Sequence, residues 1–186
     1  MLFDSHAHIN EASYSSEERA ELIRTIEASD VDYVADIGYD LASSKLAVEH
    51  AAQYPWCYAV VGCHPHDAKS MDDMELAMYK GLARKKKVVA IGEIGLDFHY
   101  DHSPRDIQRE WFRRQIRLAN QLKMPIVIHS READQETMDI LKEEGAFSEE
   151  RKSWFPKRPD SSGYTLKKSD AAKKTPDDPA DHMADD

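Results

Sequence analysis

The chain has 186 residues and a formal net charge of −10, from 25 basic and 35 acidic side chains. This acidic balance excludes a protein that binds nucleic acid by broad charge attraction alone, but not a small site where metal ions supply positive charge. Two cysteines without metal-type spacing, no signal-type start and no run of about 20 apolar residues predict a cytoplasmic protein without membrane contact.

Five apolar runs are the predicted strands, at 2–3, 31–39, 58–66, 87–98 and 124–131. The runs are continuous rather than alternating, which is typical of strands covered on both faces in a parallel sheet. Helical stretches fill the intervals between them. Ser15 with Glu18 forms a capping-box pattern, Ser103 and Pro104 open a long amphipathic helix, and a helix over 132–144 ends at Gly145.

Five strand-helix units in series are compatible with a barrel or with an open doubly wound sheet. The polar residues of interest follow the strands at their carboxyl ends, where the active sites of barrels converge. We therefore predict an α/β fold of the parallel (β/α) TIM-barrel type, represented by the first five units of an eight-fold barrel.

The composition changes near Ser148, and the predicted domain boundary lies between residues 147 and 148. The segment 148–186 has no valine or isoleucine and carries four of the eight prolines. Such a charged, low-complexity segment cannot form much of a core, so we expect it to be disordered, with Trp154 and Phe155 as its one docking point.

The stretch DSHAH places His6 and His8 two residues apart. In an extended segment this spacing directs both imidazoles to the same side, an arrangement that suits one divalent ion. For this motif alone, two hydrogen-bonded histidines at a strand end remain an equal alternative.

Two further strand ends carry metal-ligand chemistry. Glu93 in GEIGLD follows an apolar run, and a carboxylate there is costly unless it is paired or binds a cation. It is a group that can bridge two divalent ions, whereas Asp97 is the better candidate for pairing with an arginine or capping a helix. His129 in IVIHSR is the third predicted imidazole ligand.

The stretch VGCHPH adds His64 and His66 in a proline-stiffened loop, where a histidine can contact phosphate or assist proton transfer. His99 and His102 are candidates for lining a substrate loop. Arg105 and Arg131 are candidates for phosphate contacts, with an ordinary surface role as the favoured alternative for each arginine.

Taken together, DSHAHIN, VGCHPHD, GEIGLDFHYDHSPR and MPIVIHSREA, in this order, resemble the TatD-type metal-dependent deoxyribonucleases, a branch of the amidohydrolase-like barrel enzymes. The resemblance runs from Met1 to about Gly145. It implies a (β/α)8 barrel, two divalent metal ions such as Mg²⁺, Mn²⁺ or Zn²⁺, and hydrolysis of phosphodiester bonds at DNA ends. It further implies that His6, His8, Glu93 and His129 are metal ligands, with Glu93 bridging and catalytic, and that His64 is a catalytic residue lining the substrate pocket.

The family pattern continues with another strand-end histidine and a later aspartate that complete the metal site, and neither segment occurs in this sequence. We therefore expect that only one ion binds if nothing replaces those ligands, and that another chain is needed to complete the barrel. Two alternatives remain. One is a metal-dependent hydrolase of a small-molecule ester or amide, and the other is a truncated, inactive paralogue that acts only through association.

Overall fold

A five-stranded parallel sheet forms the centre of the computed structural model, which describes residues 1–156. The strands lie in the order β1-β2-β3-β4-β5, so each strand pairs with its predecessor in the chain. They are β1 (Leu2–Ala7), β2 (Val31–Ile37), β3 (Cys57–Val61), β4 (Val88–Asp97) and β5 (Ile126–Arg131). An unbroken consecutive order is that of a barrel, because a doubly wound sheet reverses its order at a switch point. The predicted barrel type is confirmed for its first five strands.

Helices occupy the connections, as parallel pairing requires. They are α1 (Ser16–Glu27), α2 (Leu41–Gln53), α3 (Asp73–Leu82), α4 (Arg105–Leu122), α5 (Asp134–Glu143) and α6 (Glu149–Ser153). The predicted capping box is confirmed, since the Ser15 side chain accepts from the backbone of Glu18 and the Glu18 side chain accepts from the backbone of Ser15. Within residues 1–156, no helix has the length and apolar character that crossing a membrane demands.

The main core lies between the sheet and the outer helices. Ile91 and Leu96 of β4 are fully buried in it together with Ile116 of α4. Successive residues of a strand point to opposite faces of the sheet. Val60 of β3 therefore lies on the other face, in a small apolar cluster that also contains Ile37. The sheet therefore buries apolar side chains on both faces, which explains why its strands read as continuous apolar runs.

Strands β1 and β5 each pair on one side only among residues 1–156. Phe3 on β1 is 55% exposed, and β5 is half-buried along most of its length. Strands β3 and β4, which have neighbours on both sides, are almost wholly buried. The two ends of the sheet are thus its exposed borders.

The ordered structure extends beyond the predicted boundary at residue 147. Ser148 caps the short helix α6 by accepting from the backbone N–H of Arg151. The Arg151 side chain is buried, contacts Asn120 and donates to the carbonyl oxygen of Met124 over 2.8 Å. The charged composition of this segment gave no indication that one of its arginines is buried. The expectation of disorder for the rest of the tail concerns residues 157–186, which lie outside the described residues.

Candidate metal centre

The sheet brings the predicted ligands together at the carboxyl ends of its strands. His6 lies near the end of β1 and His8 just beyond it, Glu93 lies in β4, His129 lies in β5, and His64 follows β3. Among residues 1–156, their donor atoms form two groups in which all members lie within 4.8 Å of one another. One group is His6, His8 and Glu93, and the other is His64, Glu93 and His129.

In the first group, a backbone contact orients His8. Nε2 of His6 lies 3.4 Å, and Nε2 of His8 3.9 Å, from the same carboxylate oxygen, Oε2 of Glu93. Nδ1 of His8 lies 2.8 Å from the carbonyl oxygen of Ile37 and must donate its proton there, because a carbonyl only accepts. The lone pair of His8 is therefore on Nε2, which faces Glu93 and suits a metal ion.

In the second group, His129 is oriented by two carboxylates. Its Nδ1 lies 3.3 Å from Oε1 of Glu93, and its Nε2 lies 3.0 Å from Oδ2 of Asp97. With the proton of Nε2 directed at Asp97, Nδ1 can present a lone pair beside Glu93. This is the usual arrangement of a metal-binding histidine, whose second nitrogen donates to a carboxylate or carbonyl.

His64 has the opposite arrangement of proton and lone pair. Its Nδ1 accepts a hydrogen bond of 3.1 Å from the backbone N–H of His66. Burial, with repulsion from the nearby His129 and His66, lowers the pKa of His64 to about 3, so its imidazole is neutral at ordinary pH. A neutral ring that accepts at Nδ1 carries its proton on Nε2, which makes that nitrogen a donor rather than a metal ligand.

Residue chemistry fits a divalent cation at Glu93. Imidazole nitrogens and carboxylate oxygens are the donors that Zn²⁺ and Mn²⁺ accept, and carboxylates also suit Mg²⁺. The side chain of Glu93 is only 11% exposed, and its two oxygens face different groups, Oε2 toward His6 and Oε1 toward His129. One carboxylate thus serves both groups.

Asp97 is the fully buried centre of a hydrogen-bond network at the end of β4. Its Oδ2 contacts Nε2 of His66 at 2.9 Å as well as His129, and its Oδ1 accepts from the backbone N–H groups of His99 and Tyr100. Burial raises the pKa of Asp97, but the bonds from Tyr100, His66 and His129 outweigh it and hold that pKa well below its usual range.

The electrostatics of Glu93 and His129 reinforce each other. Burial raises the pKa of Glu93, but the hydrogen bond from His129 and the nearby imidazoles outweigh it and lower the pKa overall. Burial lowers the pKa of His129, and its bonds to Glu93 and Asp97 more than offset this, so that pKa is raised. Both shifts favour the charged form of the group, because His129 lies between the carboxylates of Glu93 and Asp97.

A second buried network supports the loop that carries His8. Asn10 donates through its side chain to the carbonyl oxygens of Ile37 and Ser43, and its backbone N–H donates to Oδ1 of Asp36. Oδ2 of Asp36 contacts Nδ1 of His50 at 2.7 Å. These contacts fix the end of β1 against the end of β2 and so set the position of the first histidine pair.

Gly95 allows the close approach of β4 and β5 beside His129. A Cβ at Gly95 would lie 1.9 Å from the carbonyl oxygen of His129, and the residue has φ +153°. Only glycine fits this close contact with neighbouring backbone. The glycine of GEIGLD therefore helps set the distance between the strands that carry Glu93 and His129.

The structure brings together every predicted site residue: His6, His8, Glu93, His129 and His64. Asp97 differs from its expected role, because it pairs with two histidines and not with an arginine. Asn10, Asp36 and His50 were missed altogether. The role of Asp97 could have been recognised in the sequence, because Asp97 ends the same apolar strand that contains Glu93. The role of Asp36 could not, because its partners are 26 and 14 positions away in the chain.

Comparison with known proteins identifies the family. The family model described as TatD related DNase matches residues 3–153, which is most of the chain. The chain belongs to the TatD family. The metal-dependent hydrolase YabD of Bacillus subtilis is 46% identical over 146 residues, covering 78% of this chain and 57% of that protein. The 3'-5' ssDNA/RNA exonuclease TatD of Cronobacter turicensis is 35% identical over 140 residues, covering 75% and 53%.

Solved TatD structures share the fold. The TatD homologue YjjV of Escherichia coli K12 aligns with a TM-score of 0.69 at 28% identity, over 77% of this chain and 56% of that one. A TatD-family hydrolase from Entamoeba histolytica aligns with a TM-score of 0.70 at 22% identity, over 78% and 55%, which bears on the fold alone. This TatD-family chain thus spans about half the length of the relatives it matches.

Proposed function

We propose that this chain carries the active site of a divalent-metal-dependent phosphodiesterase that removes nucleotides from DNA ends. The observation that carries the proposal is the position of Glu93, whose Oε2 faces His6 and His8 while its Oε1 faces His129. Such a shared carboxylate is what a two-metal hydrolytic site requires. The exonuclease name printed for the Cronobacter relative supports nucleic acid as the substrate class.

His6, His8 and Glu93 would hold one ion, and Glu93 with His129 would hold the second. When bound, divalent ions supply Lewis-acid stabilisation of phosphate oxygens and activation of water for attack. In this proposal the ions are Mg²⁺, Mn²⁺ or Zn²⁺, and there are two in the complete site. The first group has three donors from this chain and the second has two that present lone pairs, so we expect the first ion to bind more tightly.

His64 would contact the substrate. Within residues 1–156 the Nε2–H of this buried, neutral imidazole makes no hydrogen bond. The ring lies beside His129, with 4.2 Å between the ring centroids. A donor held in place there can bind a non-bridging phosphate oxygen and stabilise the charge that develops on it. His66 keeps His64 in this tautomer through its backbone N–H and is itself anchored by Asp97.

Association with another chain and a cytoplasmic location complete the proposal. Within residues 1–156 the outer borders of β1 and β5 have no pairing strand, and apolar residues such as Phe3 are exposed there. In folded proteins other strands cover such borders, which supports an association along β1 and β5. The two cysteines are buried and unbonded, which supports a reducing compartment.

The deciding experiment is release of nucleotides from end-labelled single-stranded DNA by the purified chain, with and without Mg²⁺ or Mn²⁺. We expect release that requires metal and is abolished in Glu93→Gln. The matched control is Glu110→Gln on the outer helix α4, whose side chain is 58% exposed and lies 3.8 Å from Arg114. Absence of release from a chain that folds and binds metal would overturn the proposal and favour an inactive relative.

A further inference from the structure

A cluster of rings borders the candidate metal centre on the loop that follows β4. Tyr100 is 52% exposed, although large aromatic side chains are usually covered. Its ring centroid lies 4.6 Å from that of His99 and 5.6 Å from those of His66 and His102. An exposed aromatic surface of this kind next to a hydrolytic site is available to a planar ligand.

The loop is held rigidly although its tip is exposed. The backbone N–H of Tyr100 donates to Oδ1 of Asp97 over 2.9 Å. Arg105 forms an ion pair with Asp101 and donates to the carbonyl oxygen of Phe98, which ties both ends of the loop to the start of α4. The Tyr100 ring is therefore placed before any ligand arrives, and a pre-ordered surface loses little entropy on binding.

A cation lies against this ring. The guanidinium carbon of Arg131, at the end of β5, is 5.2 Å from the centroid of Tyr100. Within residues 1–156 the exposed Arg131 has no carboxylate partner, whereas Arg105 at the start of α4 is paired with Asp101. An arginine kept free of carboxylates in an acidic protein is suited to bind phosphate.

The ring and the metal centre are joined through two side chains. His66 packs edge-on against Tyr100 and contacts Oδ2 of Asp97, and the same oxygen contacts His129. A nucleotide bound at Tyr100 would thus be separated from the candidate metal centre by the imidazole of His66.

We propose that Tyr100 and Arg131 form a nucleotide-binding subsite for single-stranded nucleic acid, in which the ring stacks on a base and the guanidinium binds a phosphate. The inference rests on the proposed nuclease function and adds a base-recognition element to it. Stacking is tolerant of sequence, because every base presents a π-face. The subsite would therefore favour an unpaired, accessible end without selecting a particular base.

Binding can be measured separately from cleavage. Fluorescence anisotropy in the presence of EDTA compares a short labelled single-stranded oligodeoxynucleotide with an abasic oligonucleotide of the same length and the same phosphates. We expect the wild-type chain to bind the base-containing strand on the order of 10-fold more tightly than the abasic one. Tyr100→Ala should abolish this preference and Tyr100→Phe should keep it.

Substitution of Arg131 should affect binding differently from substitution of Tyr100. Arg131→Gln should weaken binding of both strands by the same factor and reduce the salt dependence of binding by about one charge. Tyr33→Ala, at an exposed tyrosine near the opposite end of the sheet, and Arg84→Gln, after α3, are the matched controls and should change neither quantity.

Equal binding of base-containing and abasic strands by the wild-type chain overturns the subsite, and so does a preference that persists in Tyr100→Ala. The nuclease proposal is refuted by a different result, the absence of metal-dependent nucleotide release in a separate assay without EDTA. A chain that prefers bases but releases nothing would support the subsite and refute the nuclease activity.

Discussion

Oδ2 of Asp97 lies 3.0 Å from Nε2 of His129, while Nδ1 of the same imidazole lies 3.3 Å from Glu93. The two ring nitrogens of His129 are thus assigned to different carboxylates. Since Asp97 is fully buried and offers only acceptors on its side chain, it keeps the proton on Nε2 and leaves Nδ1 for a metal ion.

Asp97→Asn should weaken binding of the second metal ion by about 10- to 100-fold, the usual effect of losing such an orienting partner. Binding of the ion at His6 and His8 should change little. Competition with a chromophoric chelator gives both affinities, and ¹⁵N NMR of labelled histidine in the Zn²⁺-loaded chain reports which nitrogen of His129 is protonated. Asp139→Asn, on the exposed side of α5, is the control. Unchanged affinity, or a proton on Nδ1 in the wild-type chain, would refute the assignment.

Glu93→Gln should remove both ions, because its two oxygens face different groups. His6→Ala should remove only the first, since that imidazole contacts Oε2 alone. Metal content after dialysis against a metal-buffered solution, measured by mass spectrometry, distinguishes the two variants. Loss of a single ion from Glu93→Gln would show that the carboxylate does not bridge.

His64→Gln should lower the rate of nucleotide release by about 100-fold, the usual cost of removing one transition-state donor. Metal affinity should remain within about twofold of the wild-type value if Nε2 of His64 is a donor, as its bond from His66 indicates. A loss of metal affinity comparable with that of the glutamine variant at Glu93 would instead make His64 a ligand.

Stability of the metal-free chain should depend on pH through His129. The pKa of His129 is raised in the folded state, so its contribution is fully present below the unfolded pKa of about 6.5 and disappears as pH rises through the folded value. Asp97 and Glu93 have lowered pKa values, so their contributions are present above about pH 4.5 and disappear as pH falls through their folded values.

Urea unfolding in EDTA tests this dependence. The difference in unfolding free energy between the wild-type chain and His129→Gln should shrink from pH 6 toward pH 9. Metal affinity should change in the opposite direction and rise with pH, because an ion competes with the proton on Nδ1. A difference that is independent of pH would show that His129 does not titrate between the carboxylates.

Gly95→Ala should destabilise the chain by about 2 kcal/mol or more, since the added methyl group would collide with the backbone of His129. Gly81→Ala is the matched control, because Gly81 lies in α3 with nothing within 4 Å of the added Cβ. That change should be neutral or stabilising by up to about 1 kcal/mol. Thermal or urea unfolding measures both, and similar stabilities would refute the close contact.

Much of the architecture was predictable because it depends on patterns local in the chain. Continuous apolar runs predicted all five strands, and the capping box at Ser15 gave the start of α1 within one residue. The ligands were predictable for a related reason, since parallel strands bring their carboxyl ends to one edge of the sheet. His6, Glu93 and His129 could be grouped without any knowledge of their distances.

The supporting residues could not be predicted, because their roles exist only in three dimensions. Asn10, in the loop after β1, contacts Asp36 of β2, and His50 contacts Asp36 from α2. The docking of Arg151 likewise depends on Asn120 and Met124, both near the end of α4. In each case a polar residue is buried because its hydrogen-bond partners lie beside it in the fold. The composition of a segment does not indicate which residues those distant partners are.

A single carboxylate that faces two sets of imidazoles also has a thermodynamic consequence. In the proposed site, an ion at His6 and His8 alters the charge that Glu93 presents to His129, so the two binding steps are energetically coupled. Linkage makes that coupling reciprocal, and each ion must change the affinity of the other by the same factor. A metal titration of this chain should therefore depart from the sum of two independent isotherms. Glu93 is the residue through which binding at one group of ligands changes the affinity of the other.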